Sequence, residues 1–120
     1  MKNFSLIVFY LLISCSVNKT NESMFGAPYS INLYPNSPLI KADSLIISLS
    51  YSGGCDHVQH FELKKRFQHF TSELWVVKTT PEAPCDLYTT EERFFLLSEN
   101  ILDSKNIVLI TPSFDRITLK

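Results

Sequence analysis

The chain has 120 residues, 45% of them hydrophobic and 19% charged, and a formal net charge of −1 at pH 7. Its 11 basic and 12 acidic side chains are interspersed, and the lack of a basic stripe argues against a nucleic-acid partner. The chain has only three glycines, too few for a phosphate-binding loop. It also has no Gly-x-Ser-x-Gly motif, which would mark a nucleophilic serine. The composition therefore predicts one small domain without a cofactor and without enzymatic activity.

The N-terminal segment, residues 1–14, is typical of a secretory signal peptide. Lys2 supplies a positive charge, and residues 4–13 are apolar except for Ser5. A membrane-spanning helix needs roughly twenty apolar residues, so we expect this shorter run to be removed by processing. An N-terminal membrane helix, or a plain signal peptide that happens to contain a cysteine, remains the alternative.

The order Leu12-Ile13-Ser14-Cys15 resembles the lipobox of bacterial lipoproteins. The resemblance implies that the chain is cut before Cys15, that Cys15 receives a diacylglyceryl thioether, and that the new amino terminus is acylated. Ser16 rather than Asp follows the cysteine, which resembles an outer-membrane passenger more than an inner-membrane one. The expected partner is therefore a membrane of the bacterial envelope, reached through the lipid anchor.

A flexible tether is expected to follow the lipid site, so that residues 15–28 form the lipidated cysteine and its linker. Residues 16–23 are polar, lack aromatic side chains and contain a single apolar residue. Such a segment cannot bury enough apolar surface to offset the entropy of ordering it. The folded domain is then predicted to cover residues 29–120.

This domain begins with an edge element and a regular strand. Pro35 and Pro38 confine residues 29–40 to an edge strand or an extended lead-in, because proline cannot donate a ladder hydrogen bond. Residues 43–52 alternate between apolar and mostly serine positions, which predicts a half-buried strand of an antiparallel sheet. The predicted core face of that strand is Leu45, Ile47, Leu49 and Tyr51.

Two strands are predicted in the middle of the chain. We expect residues 58–70 to be the hairpin partner of the preceding strand, with a helix as the competing interpretation. Residues 73–79 are apolar on both faces, as in a central strand. Pro81 and Pro84 then end this strand in a loop.

The last part of the chain predicts a strand over residues 91–98, where Glu91 and Glu92 could instead begin a capped helix. A polar connection follows, and then the apolar run 106–111, a turn and a final strand over 116–120 form a hairpin pattern. The total of about six or seven short strands predicts an all-β fold. We expect a small antiparallel β-sandwich of immunoglobulin-like architecture.

Three cysteines are present, and lipidation of Cys15 leaves Cys55 and Cys85 as a pair. Both follow a secretion signal and would enter an oxidising compartment, so we expect a disulfide between them. The loop it closes corresponds to about 3.5 kcal/mol of stabilisation in the chain-entropy model. Two free thiols or a metal site are the alternatives.

The densest polar cluster contains His57 and His60, close to Asp56 and Asp86. On a strand, the spacing of the two histidines puts their rings on opposite faces, and oxidised cysteines are not thiolate ligands. A catalytic cysteine would also need a free thiolate. We therefore expect no metal site and no catalytic residue in this cluster.

The segments Tyr51-Ser52-Gly53-Gly54-Cys55, His60-Phe61-Glu62-Leu63 and Pro84-Cys85-Asp86 resemble small bacterial lipoproteins with a Gly-Gly-Cys motif and a later cysteine. This resemblance implies a β-domain with paired cysteines and implies no activity.

The expected function is that of a lipid-anchored envelope protein whose domain is a non-enzymatic binding or structural module. One alternative is a periplasmic or surface enzyme inhibitor that uses the loop over residues 79–86. The other is a metal-binding or catalytic envelope protein that uses His57 and His60.

Overall fold

Eight strands and one short helix form the described part of this computed structural model, which comprises residues 24–53, 58–82 and 87–120. The elements in chain order are β1 (Ser30–Asn32), β2 (Leu39–Lys41), β3 (Ser44–Ser52), β4 (Phe61–Gln68), β5 (Thr71–Lys78), β6 (Tyr88–Leu96), α1 (Glu99–Leu102), β7 (Asn106–Ile110) and β8 (Arg116–Thr118). They form two four-stranded sheets, which confirms the prediction of an all-β sandwich.

β3 is the central strand of the first sheet. β1 and β2 pair antiparallel with successive parts of one side of β3, and β6 pairs with its whole length on the other side, from Ser44 opposite Leu96 to Ser52 opposite Tyr88. The predicted proline-containing edge element is thus confirmed as two short strands. Pro35 and Pro38 lie in the interruption between them, where the missing N–H groups cost no ladder bond.

The second sheet has the order β4-β5-β7-β8. The prediction that residues 58–70 form a hairpin with β3 is wrong, because both sides of β3 are occupied and β4 pairs instead with β5, from Phe61 opposite Lys78 to Gln68 opposite Thr71. β5 and β7 are parallel, whereas the sequence predicts that all strand pairs are antiparallel. The prediction is wrong for this pair. The parallel pair arises because the chain crosses to the first sheet as β6 before it returns as β7.

The core lies between the inner faces of the two sheets. β3 contributes the predicted residues Leu45, Ile47, Leu49 and Tyr51, all buried. β5 and β7 contribute Leu74, Val76, Ile107 and Leu109 from the other side. Each fully buried aliphatic side chain of this kind contributes about 1.5–3 kcal/mol relative to its exposed state.

Residues 24–27, which are predicted to belong to the tether, hydrogen-bond to the end of β5. The amide of Lys78 donates to the carbonyl of Phe25, and the amide of Ala27 donates to the carbonyl of Lys78, both at 3.0 Å. Gly26 lies between them at φ 71°, and a Cβ at this position would overlap the Lys78 carbonyl oxygen. Only glycine fits here without strain.

The β4–β5 hairpin turns through two bulky residues in the left-handed region, His69 at φ 49° and Phe70 at φ 64°. Two-residue hairpin turns with positive φ at both positions usually contain Asn-Gly. Other residues in this conformation cost on the order of 1 kcal/mol or more each. The amides of Lys105 and Asn106 hold the turn, because both donate to the Phe70 carbonyl, at 3.1 and 3.3 Å.

Candidate functional site

The predicted lipidation and disulfide residues Cys15, Cys55 and Cys85 lie outside the described residues, as does His57. The β3–β6 ladder nevertheless continues to the last described residues on either side. The amide of Gly53 donates to the carbonyl of Leu87 at 2.8 Å. Each of these two residues is two positions along the chain from a cysteine.

The two described histidines lie at opposite ends of β4, so they do not form one site. The amide of His60 donates to Thr80 Oγ1 at 2.7 Å, and its carbonyl accepts from the amide of Thr79 at 2.9 Å. His69 lies in the β4–β5 turn. Within residues 24–53, 58–82 and 87–120, no group of three or more His, Cys, Asp and Glu side chains could hold a metal ion.

A polar network lies on the inner face of the neighbouring strands β3 and β6. Glu91 and Arg93 point inward from β6 and form an ion pair. The hydroxyl of Tyr51 donates to Glu91 Oε2 at 3.0 Å, and Arg93 Nη2 donates to the carbonyl of Gln59 at 2.7 Å. The guanidinium of Arg93 also lies 5.1 Å from the ring centroid of Phe61. Each charged group in this network has a partner within the fold, which suits a structural role.

Lys78 is the largest fully buried side chain, with 1% exposure. Its Nζ donates to the carbonyl of Thr80 at 2.9 Å and lies 5.5 Å from the ring centroid of Tyr51. Burial lowers the pKa of Lys78, because desolvation disfavours the ammonium form. Burial also raises the pKa of Tyr51, and the hydrogen bond to Glu91 and its negative charge add to this effect.

A cavity of about 450 Å³ opens where the edge strand β1 of the first sheet faces the β7–β8 connection of the second. Its walls include the apolar side chains of Ile31, Leu33, Pro112 and Ile117. We call this gap between β1 and the β7–β8 connection the seam. The cavity exists because β1 and β8 have only three residues each, so neither strand covers the seam. Its volume lies within the range of about 300–1,000 Å³ that is typical of small-molecule sites.

The rim of this cavity is a closed turn of polar side chains. Thr111 Oγ1 lies 3.0 Å from Ser113 Oγ, which donates to Asp115 Oδ2 at 3.0 Å. The amide of Asp115 donates to Thr111 Oγ1 at 3.1 Å. These bonds preorganise the rim and place one carboxylate beside an apolar cavity. The arrangement can hold a small apolar group that carries a hydrogen-bond donor.

Neither Glu73 nor Lys78, the two buried charged side chains among the described residues, lines this cavity. The sequence of residues 112–115 predicts only a turn, and the cavity has no counterpart in the sequence pattern. Phe114 in this turn is an exposed aromatic residue at φ 64°, where a turn ordinarily has glycine. Its ring packs edge-on against Phe25 at 5.5 Å and holds the connection against the start of the described chain.

No family model, no curated protein and no solved structure matches this chain. Among the described residues, no helix is long and apolar enough to cross a membrane.

Proposed function

We propose that this protein is a lipid-anchored envelope protein whose β-sandwich is a non-enzymatic binding module. The anchor is Cys15, supported by the Leu12-Ile13-Ser14-Cys15 order after a basic and apolar start. The binding site is the cavity at the seam between β1 and the β7–β8 connection. The observation that carries the proposal is this cavity of about 450 Å³ with apolar walls and a preorganised polar rim.

Binding is favoured over catalysis because the described buried ionisable groups are engaged within the fold. Glu73 accepts from Arg66 and Arg116, and Lys78 donates to a backbone carbonyl. A general acid or base must instead reach the proton of a bound substrate. The ligand expected at the seam is a small apolar molecule, or an apolar side chain of a protein partner, with a donor directed to Asp115.

A disulfide between Cys55 and Cys85 belongs to the same proposal. An envelope compartment is oxidising, and the hydrogen bond between Gly53 and Leu87 brings together the two described residues nearest to the cysteines.

The alternative functions have less support from the described residues. An inhibitory loop over residues 79–86 would begin with Thr79 and Thr80. Both residues are already hydrogen-bonded to the backbone of His60, so this end of the loop is engaged within the fold. The alternative of a metal-binding or catalytic site at His57 and His60 stays a prediction, because His57 lies outside the described residues.

The binding proposal is tested with the neutral apolar dye N-phenyl-1-naphthylamine and the chain from residue 16 onward. The dye should gain fluorescence with the wild type and lose that gain with Ile31→Trp, because the indole fills the cavity. The matched control is Ile46→Trp, also a half-buried isoleucine of the first sheet, which should bind like the wild type. Equal fluorescence with all three proteins would exclude the seam as the binding site.

The anchor is tested by expressing the full chain in a bacterium with radiolabelled palmitate. The wild type should be labelled and Cys15→Ala should not. Equal labelling of the two proteins would contradict lipidation at Cys15.

A further inference from the structure

The end of the β4–β5 hairpin exposes two aromatic rings. Phe70 is 85% exposed and Phe67 is 52% exposed, so neither ring contributes much to the core. Phe70 also lies in the left-handed region together with His69, which glycine would occupy with less strain. We call this segment, residues 64–70, the β4–β5 tip. An exposed ring in a strained turn lowers the stability of the isolated fold, which points to a role outside the fold.

Cationic residues lie near these rings. Lys65 Nζ lies 5.7 Å from the ring centroid of Phe67, and the backbone of Lys105 is bonded to Phe70. Arg66 and Arg116 share the single carboxylate of Glu73, so this trio carries an excess positive charge.

Acidic groups only partly compensate for these cations. Lys64 pairs with Glu62 at 3.3 Å, and Asp103 is exposed two positions before Lys105. Lys65 appears in no ion pair of the described residues. The combination of exposed aromatic rings and excess positive charge is complementary to the interface of an anionic bilayer, where rings enter the headgroup region and lysines meet lipid phosphates.

The position of the tip allows contact with the bilayer that holds the anchor. Phe25, the second residue of the described chain, is hydrogen-bonded to Lys78 at one end of β5, and the tip lies at the other end, about 27 Å away for eight strand residues. The chain from Cys15 to Met24 can span at most about 30 Å when fully extended. The domain can therefore lie along the surface with its tip against the lipid.

We infer that the β4–β5 tip docks on the anionic surface of a bilayer, with Phe70 and Phe67 in the interface and Lys65 and Lys105 against headgroup phosphates. This inference rests on the proposed function only in that the lipid on Cys15 brings the domain to the bilayer. Such contact would orient the seam cavity relative to the membrane.

The test uses the chain as purified from the expressing bacterium, in a Trp75→Phe background, reconstituted in vesicles of brominated phosphatidylglycerol or brominated phosphatidylcholine. A tryptophan reporter is introduced as Phe70→Trp. The matched control is Tyr34→Trp, at a residue of equal exposure, 86%, in the β1–β2 connection. We expect bromine to quench the reporter at position 70 but not at position 34. The quenching should require phosphatidylglycerol and weaken as salt is added.

Absence of quenching at position 70, equal quenching at both positions, or equal quenching in the two lipids would overturn the inference. Self-association that disappears with Phe70→Ser would assign the tip to a second copy and would also overturn it. The double variant His69→Asn/Phe70→Gly, which relieves the turn, should remain folded. In that variant, phosphatidylglycerol vesicles should no longer protect Lys65 and Lys105 from acetylation.

The palmitate experiment separates this inference from the proposed function. A labelled protein without quenching at position 70 retains the anchor and excludes tip docking. An unlabelled protein that is still quenched at position 70 excludes the anchor and retains tip docking.

Discussion

Arg116 on β8 donates from Nη1 to Oε2 of Glu73 on β5 at 2.7 Å, although β7 lies between the two strands. Arg66, the cross-strand neighbour of Glu73 on β4, donates to Oε1 at 3.0 Å from the other side. The Glu73 side chain is only 5% exposed. One carboxylate thus connects three strands of the second sheet across its outer face.

Glu73→Gln should lower the free energy of unfolding at pH 7 by about 1–3 kcal/mol. The hydrogen bonds of Arg66 and Arg116 hold the pKa of Glu73 below its usual value. The carboxylate therefore contributes its full stabilisation above the ordinary glutamate pKa, and this contribution is lost as the pH falls through the lowered pKa.

Urea unfolding at neutral pH and at about pH 3 measures this effect, and the difference between wild type and variant should shrink in acid. The control is Glu62→Gln, whose pair with Lys64 is exposed and should contribute about 0–1 kcal/mol. Equal effects of the two substitutions at pH 7 would contradict the special role of Glu73.

Lys78→Met should flatten the rise of stability with pH on the alkaline side. Burial lowers the pKa of Lys78, so between the folded-state pKa and the ordinary pKa the unfolded chain binds more protons than the folded one. Stability therefore rises with pH in that window. Urea unfolding from about pH 8 to about pH 10 should show a smaller rise for Lys78→Met than for the exposed control Lys64→Met. Parallel stability curves for the two variants would exclude a lowered pKa of Lys78.

Gly26→Ala should destabilise the protein by about 2 kcal/mol or more, because a Cβ overlaps the Lys78 carbonyl and φ is 71°. Ala42→Gly is the opposite case, since alanine at φ 57° already occupies a glycine-like position. That substitution should leave the thermal midpoint unchanged or slightly raised. An unchanged midpoint for Gly26→Ala would mean that residues 24–27 do not contribute to the stability of the sheet.

His69→Asn with Phe70→Gly should raise the free energy of unfolding by about 1–2 kcal/mol, because both residues lie in the left-handed region that Asn-Gly prefers. For a domain of this size each kcal/mol corresponds to roughly 4–8 °C in the thermal midpoint. Calorimetry checks this value. A lower midpoint would show that the rings of the turn stabilise the fold, contrary to their exposure.

Cys55→Ser with Cys85→Ser should lower the thermal midpoint by more than about 10 °C, given about 3.5 kcal/mol for the closed loop. Mass spectrometry of the alkylated, unreduced protein should find neither residue modified. Modification of both cysteines in the folded protein would exclude the bridge and would restore the metal and nucleophile alternatives.

The sequence alone determined those strands and turns whose signal lies within a few consecutive residues. The alternation of Leu45, Ile47, Leu49 and Tyr51 is sufficient to predict the inner face of β3, because successive strand side chains point to opposite faces. Pro35 and Pro38 likewise predict the interrupted edge element, and the apolar run before Pro112 predicts the β7–β8 hairpin. The signal-like start and the Leu-Ile-Ser-Cys order are also properties of sequence alone.

Tertiary structure decided which strands pair and what the pairing buries. β4 pairs with β5 rather than β3 because β1, β2 and β6 occupy both edges of β3, and competition for an edge has no local signal. The same arrangement makes β5 and β7 parallel and buries Lys78. It also brings Arg66 and Arg116 from different strands to the carboxylate of Glu73. The seam cavity also depends on it, since the cavity exists only where two short edge strands from distant parts of the chain fail to cover each other. A strand's period encodes its own faces, whereas its partners are set by the free energy of the whole assembly of strands.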